Sequence, residues 1–342
     1  RDKEIGILPN SNQLKNSFTF VATYNVLKNL TVGAEANYYD IPAIGRYETG
    51  YSPDYAPNPM NNFRQWWETN VDVQEQKQAY FRTLQNTSWN WSNPYEQSKP
   101  IYWDNLYFSR YQNYESDDRK RLIGNVNLKW DATSWLSFTG RISLDQYDWL
   151  QEQRANIGSV ETSGYSKFIE DFVGRDINLM ANFHKNLSSS FKLNALLGTD
   201  LRHSEDQHTS SSTNGGLALP GVWALNNSVV TPIAPSEYDG IREVNGIFGS
   251  GTLSYKELLT LDATLRRDAS STLPPDNNAY YYPSVSLGFV FSKVMQSTPW
   301  LSYGKLSVNG AQVGSDAPIY SVYDTYDILT PYNGNPVGSA SE

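Results

Sequence analysis

The chain contains no cysteine, which excludes disulfides, thiolate nucleophiles and thiolate metal sites and fits an exported bacterial protein. Histidine is nearly absent too. His184, His203 and His208 lie on or just beyond predicted strand ends, where none has a catalytic setting. No apolar run approaches the roughly 18 residues that a membrane helix requires, and the mean hydropathy is -0.56. Helical membrane insertion is therefore excluded. Positive charge is also short: 27 Lys and Arg stand against 36 Asp and Glu, a net -9, so no basic surface can neutralise phosphates and no nucleic-acid partner is expected. No glycine-rich phosphate loop follows a strand and opens a helix. The start at Arg1 has neither the charged nor the apolar region of a signal peptide, and residues 333–342 are polar with no closing strand. Both ends are expected to be cuts through a longer protein.

What the chain has in abundance is aromatic side chains, 14% of residues, including 24 Tyr and 10 Trp. Their apolar rings and polar tips suit membrane interfaces. They accompany a strict polarity alternation. Leu122, Gly124, Val126, Leu128 and Trp130 share one face, opposite Arg121, Asn125, Asn127 and Lys129. After a short turn, Leu136, Phe138, Gly140, Ile142 and Leu144 oppose Ser137, Thr139, Arg141, Ser143 and Asp145. Period two is the strand period. Segments of about ten residues with one apolar and one polar face have the length and pattern of strands that cross a bilayer around a wet lumen.

The alternation recurs at Phe18 to Val26, Leu30 to Tyr38, Ile177 to Phe183, Phe191 to Leu201, Leu259 to Arg266 and Val285 to Phe291. With the less regular Arg242 to Tyr255 and Leu301 to Val313, about ten strands are expected. Short links near Lys28, Asp131, Asn186, Lys256 and Lys293 alternate with long ones from Asp40 to Asp118, Leu150 to Asp171, Ser204 to Gly240 and Ala269 to Ala279, and from Gly314 onward. Up-and-down strands then place every short turn at one end and every long loop at the other, as outer-membrane barrels do. One such barrel accommodates residues 1–342, although the length also fits two ordinary domains. A soluble β-sandwich alternates in polarity too, but with shorter strands and loops at both ends. Within Arg242 to Tyr255 the apolar phase switches between Phe248 and Leu253, and Gly246, Gly249 and Gly251 permit a bulge there. Asn61 to Leu84 has helical spacing in the first long loop.

No acid–base pair or calcium-loop spacing stands out, and the acidic cluster Glu115, Asp117 and Asp118 reads as a solvated loop. No cofactor or metal is expected. The aromatics of the first long loop, chiefly Trp66, Trp67, Trp89, Trp91, Trp103 and Tyr107, suit contact with a substrate or a capping subunit, or else form the loop's own core. The polar strand residues Arg121, Lys129, Arg141, Asp145, Asp262 and Arg266 are expected to line a lumen.

Three groups of residues resemble a known family. The first is Trp89, Asn90, Trp91, Pro94, Pro100, Tyr102, Trp103, Asp104, Asn105, Tyr107, Tyr111, Asn113, Asp118, Arg119, Arg121 and Gly124, continued by Trp135, Leu136, Arg141, Ser143, Asp145 and Tyr147. The second is Arg266, Arg267, Asp268, Ser270 and Ser271 with Pro283, Ser284, Val285, Ser286, Leu287 and Gly288. The third is Leu306, Ser307, Asn309, Gly310, Val313 and Gly314. In this order they resemble SusC/RagA-type TonB-dependent outer-membrane transporters of Bacteroidetes. The resemblance implies an antiparallel transmembrane β-barrel of about 22 strands around a plug, energised by the TonB complex and capped by a SusD-like surface lipoprotein. It further implies active import of an oligosaccharide or peptide across the Gram-negative outer membrane, without enzymatic activity. The plug, TonB box, signal peptide and terminal strands of that pattern are not matched. A surface-exposed β-rich carbohydrate-binding protein without transport activity is the alternative, and a glycanase ranks third.

Overall fold

The computed structural model describes residues 1–45, 67–93, 95, 97–295, 300–324, 326–333 and 335–340. In chain order the elements are β1 (Asp2–Ile5), β2 (Asn12–Leu27), β3 (Leu30–Ile44), α1 (Val73–Thr83), β4 (Trp91–Asn93), β5 (Gln97–Pro100), α2 (Leu106–Gln112), β6 (Tyr114–Asp131) and β7 (Leu136–Ala155). They continue as β8 (Gly164–Asn186), β9 (Phe191–Ser212), β10 (Asn214–Leu217), β11 (Ser228–Val230), β12 (Ser236–Tyr255), β13 (Leu259–Ser270), β14 (Ala279–Phe289), β15 (Leu306–Ala311), β16 (Tyr326–Tyr332) and β17 (Asn335–Ala340).

Eleven strands form one antiparallel sheet in the order β1-β2-β3-β6-β7-β8-β9-β12-β13-β14-β15. Omitting the loop hairpins, each strand pairs with its predecessor in sequence, the up-and-down order that the link pattern implies. The eleventh strand, β1, has only four residues with no apolar face, and it forms by pairing with Asn12 to Lys15 of β2.

One face of this sheet is an apolar band left uncovered. Val126 is 53% exposed and Leu197 64%, and Ile142, Leu179, Leu265 and Leu287 are similarly open. A sandwich would bury such residues against a second sheet. Here the buried apolar residues that pack together are Tyr80, Leu106, Tyr107 and Phe108, all in the α1–α2 region rather than on the wall. The sandwich alternative therefore fails. Aromatic pairs mark the turn end of the band: Trp130 stacks on Phe138 at 5.5 Å, Trp135 meets Phe183 at 5.3 Å, and Phe191 meets Tyr255 at 4.9 Å. Exposed Phe18, Tyr38 and Tyr281 lie on the same face toward the other end. Paired aromatic girdles flanking an apolar band are the signature of a lipid-facing wall.

The turn end is tight. Lys256 and Glu257, both at positive φ (50° and 54°), close β12 to β13, and Glu257 is held by Lys293 at 2.8 Å and Lys192 at 3.4 Å. At the other end the links are shorter than the sequence implies. The β7–β8 connection is residues 156–163, and β8 and β9 reach 23 and 22 residues. Beyond the band both faces of a strand meet water, so alternation disappears from the sequence while the main-chain ladder continues.

Two local expectations are corrected. β12 pairs with both neighbours without a register shift, so there is no bulge. Its apparent phase switch arises because Phe248 lies on the inner, polar face, its ring under the Arg266 guanidinium at 5.3 Å and against Gly198, where an added Cβ would come within 2.5 Å of the ring. The helix is also shorter than the spacing implies. Asp72 caps α1 by accepting from the Gln74 amide at 2.8 Å, which leaves Trp67 and Asn70 outside it, and Leu84 ends it at φ 56°. The expected start, residues 61–66, lies outside the described residues.

Candidate functional site: the loop cap and the inner wall

At the loop end, a compact cap is built on buried amides. The Asn105 side chain accepts from the Tyr107 amide at 2.8 Å, capping α2, and donates to the carbonyls of Gln76 and Thr87 at 2.8 and 2.7 Å. Asn90 donates to the Trp103 carbonyl and accepts from the amides of Ile101, Tyr102 and Trp103. Arg110, fully buried, donates to the carbonyls of Pro9, Asn10 and Gly45 and so ties α2 to the β1–β2 turn and the end of β3. Asp104 accepts from Asn86, Asn113, Ser159 and the Val160 amide. Burial pushes its carboxyl above the ordinary range, against the pull of Ser159, Val160, Asn86 and Asn113. Asn90, Asp104, Asn105 and Asn113, which carry much of the family resemblance, thus have an architectural role.

The cap divides the loop aromatics. Tyr107 is buried with Tyr80, Leu106 and Phe108. Trp67 and Trp89 meet edge-to-face at 6.3 Å, both half-buried, and Trp103 is half-buried. Trp91 is 49% exposed and Tyr102 69%, beside exposed Ile101 and Tyr95. Trp66 lies outside the described residues. The core reading thus accounts for Tyr107, and Trp91 and Tyr102 are left facing solvent.

On the wall, Arg121, Lys129, Arg141, Asp145, Asp262 and Arg266 all alternate to the side opposite the apolar band. Arg121 grips Asp145 bidentately at 2.7 and 2.5 Å. Arg266 bridges Asp268 at 2.8 Å and Asp200 at 2.9 Å. Asp262 accepts from Thr252 at 2.6 Å, Lys129 lies 3.5 Å from Asp131, and Arg141 is exposed. Glu115 and Asp117 share the inner face, whereas Asp118 alternates outward, so the acidic cluster is split. Among the described residues no group of three His, Asp or Glu gathers as a metal site.

Sequence reasoning missed the aromatic side chains of the inner face beyond the band, among them Trp149, Phe168, His208 and Tyr238. Phe168, His208 and Tyr238 fall in segments that read as loop. Both faces of these strand ends meet water, so no polarity alternation marks them in the sequence; the main-chain pairing places them.

Solved structures of the RagAB peptide transporter match this architecture over nearly its full length. One superposes with a TM-score of 0.74 at 14% identity, covering 97% of this chain and 36% of that one. The fold is that of RagAB-type transporters. RagAB in a closed-closed state and in an open-open state give TM-scores of 0.73 and 0.71 at 14% and 15% identity, with the same coverage. This chain therefore spans about a third of the length of the RagAB chains it matches. No protein-family model matches the sequence, and no curated protein matches it.

Proposed function

We propose that this chain forms part of the wall of a TonB-dependent outer-membrane importer, working with a SusD-like surface lipoprotein to admit an oligosaccharide or peptide. The observation that carries the reading is a single sheet with an uncovered apolar band on one face and charged, hydrogen-bonded side chains on the other, in the RagAB fold. Residues 1–342 would supply eleven strands of a barrel of about 22, with plug and TonB contact contributed by other parts of the protein. The band would face outer-membrane lipid, the tight turns the periplasm, and the cap with Trp91 and Tyr102 the lipoprotein or its cargo. Import breaks no bond. The wall excludes lipid from the lumen, and opening of the path depends on TonB pulling on the plug.

The full-length protein tests this. It should require detergent for extraction and change gel mobility on boiling, and cells should take up a labelled oligomer only while the membrane is energised. A freely soluble, heat-indifferent protein would favour the carbohydrate-binding alternative, and uptake that survives an uncoupler would remove the energised-import reading.

A further inference from the structure

Beyond the charge pairs, the inner face carries a continuous row of rings that crosses the strands. Trp149 on β7 meets Phe168 on β8 edge-on at 6.2 Å, Phe168 meets His208 on β9 at 5.4 Å, and His208 stacks on Tyr238 of β12 at 4.6 Å. Tyr320, from the segment after β15, extends the row at 6.4 Å from Tyr238. A second pair, Tyr147 on Phe172 at 5.0 Å, lies beside it toward the turn end. The wall rings are half-buried, and Tyr320 is exposed.

The outward face sets the height of the row. Lys120, Asp148 and Asp171, directly opposite one another across β6, β7 and β8, point outward beside Trp149. Charged residues at that position put the row beyond the apolar band, in the outer, loop-side part of the lumen.

Carboxylates border the rings. Glu170 accepts from the Tyr147 hydroxyl at 2.7 Å, Asp117 accepts from the Trp149 indole at 3.3 Å, and Asp206 lies 3.5 Å from the His208 ring. Arg119 lies over the Trp149 ring at 5.6 Å and the Tyr147 ring at 4.2 Å, while neighbouring Arg121 is committed to Asp145 and Arg242 to Asp316. A cargo here therefore meets ring surface and acceptor oxygens in a field of net negative sign.

That combination selects a chemistry. Partly exposed rings take the C–H faces of sugars, and carboxylates, which only accept, match hydroxyl hydrogens. A peptide bound by strand addition would instead need a free sheet edge for its main chain. The β7–β8, β8–β9 and β9–β12 registers run unbroken past the row, so the wall's own amides and carbonyls are spent.

We infer that this row is a binding track for an uncharged oligosaccharide inside the lumen, and that its bordering carboxylates turn away polyanionic chains. The inference rests on the import reading and deepens it, naming the cargo class and a contact surface separate from the cap.

Calorimetry on the full-length transporter, purified with its partner in detergent, tests the track with four probes: maltohexaose, cellohexaose, hexagalacturonate and an uncharged hexapeptide. At least one neutral glucan should bind saturably, with hexagalacturonate weaker by about tenfold or more, which is about 1.4 kcal/mol. Trp149→Ala with Tyr238→Ala should weaken glucan binding by a similar factor, and Trp149→Phe alone should retain most of it. Glu170→Gln with Asp206→Asn should narrow the gap to hexagalacturonate. Each variant is first checked for the heat-dependent gel shift of a folded barrel. Binding of neither glucan, an unchanged affinity in the double alanine variant, or tighter binding of the hexapeptide overturns the inference. Binding is read on purified protein and uptake in cells. Loss of energised uptake with binding intact therefore counts against the import reading alone.

Discussion

Val126 offers the sharpest test of which face of the wall meets lipid. On β6 the outward residues run from Leu122 to Trp130, with Val126 midway, 53% exposed and paired across the sheet with Ala34 and Ile142. Leu122 and Trp130 are eight residues apart, about 27 Å along the strand at ~3.4 Å per residue and about 20 Å of membrane depth at a tilt near 40°. Val126 then sits about 10 Å below either boundary, where a guanidinium can escape hydrocarbon only by bending the whole side chain along the wall. Val126→Arg should cost about 2–4 kcal/mol, or between about 30-fold and about 1000-fold in the folding equilibrium. Asn127 is next in sequence but alternates inward, where its amide donates to Asn125 at 3.2 Å in a polar setting. Asn127→Arg should cost under about 1 kcal/mol, because it loses one part-buried, polar-to-polar hydrogen bond and places a charge on the polar face. Denaturant titration of the full-length protein in lipid vesicles, followed by tryptophan fluorescence and the heat-dependent gel shift, reads both values. Equal costs, or a larger cost for Asn127→Arg, would refute the face assignment.

Further outcomes follow from the same geometry. Leu261→Arg, outward but close to the β12–β13 turn, should cost only about 0–1 kcal/mol, since the charge reaches the interface. Asp145→Asn breaks the bidentate pair with Arg121, whose two side chains are about a third exposed; the loss should be under about 1 kcal/mol and shrink in high salt. Gly198→Val drives side-chain atoms into the Phe248 ring and should cost about 1–3 kcal/mol, recovered in part by Phe248→Ala if the clash is the cause. Two loop carboxylates should respond to pH with opposite sign, read by hydrogen exchange after correction for intrinsic rates. Asp104 has a raised carboxyl, so its stabilisation of α2 is fullest below the ordinary Asp value and declines as pH rises through the folded value; Asp104→Asn should abolish the trend. For Asp316, burial pushes the carboxyl up, but Ser270 and the bidentate Arg242 outweigh it and the net value is lowered. Its hold on the chain after β15 should persist above the ordinary Asp value and fail as pH drops through the lowered one. A common sign for both groups would contradict these assignments.

Residues 121–149 show how far the pattern reached. Alternation alone placed both strands, the turn between them and the inward set Arg121, Lys129, Arg141 and Asp145. The pairing of Arg121 with Asp145 was not legible, because it depends on antiparallel stagger across two strands. In the cap Asn105 was visible in the family resemblance but its role was not, and Arg110 was not singled out at all: both are surrounded in sequence by aromatics, and only the fold shows them holding distant carbonyls. The row from Trp149 to Tyr238 was hidden for a similar reason. Once both faces of a strand are wet, period two carries no polarity signal, and Phe168, His208 and Tyr238 read as loop.

Where burial is one-sided, local sequence suffices, since each residue's polarity reports directly on the solvent it faces. The apolar band, the inner polar set and the alternation of short turns with longer links were therefore determined by the chain itself. Strand lengths beyond the band, the unbroken register of β12 with Phe248 turned inward, the amide-braced cap and the aromatic row were decided only by tertiary structure. Each depends on which strand lies alongside and at what stagger, and those distances are set by main-chain pairing between residues far apart in sequence.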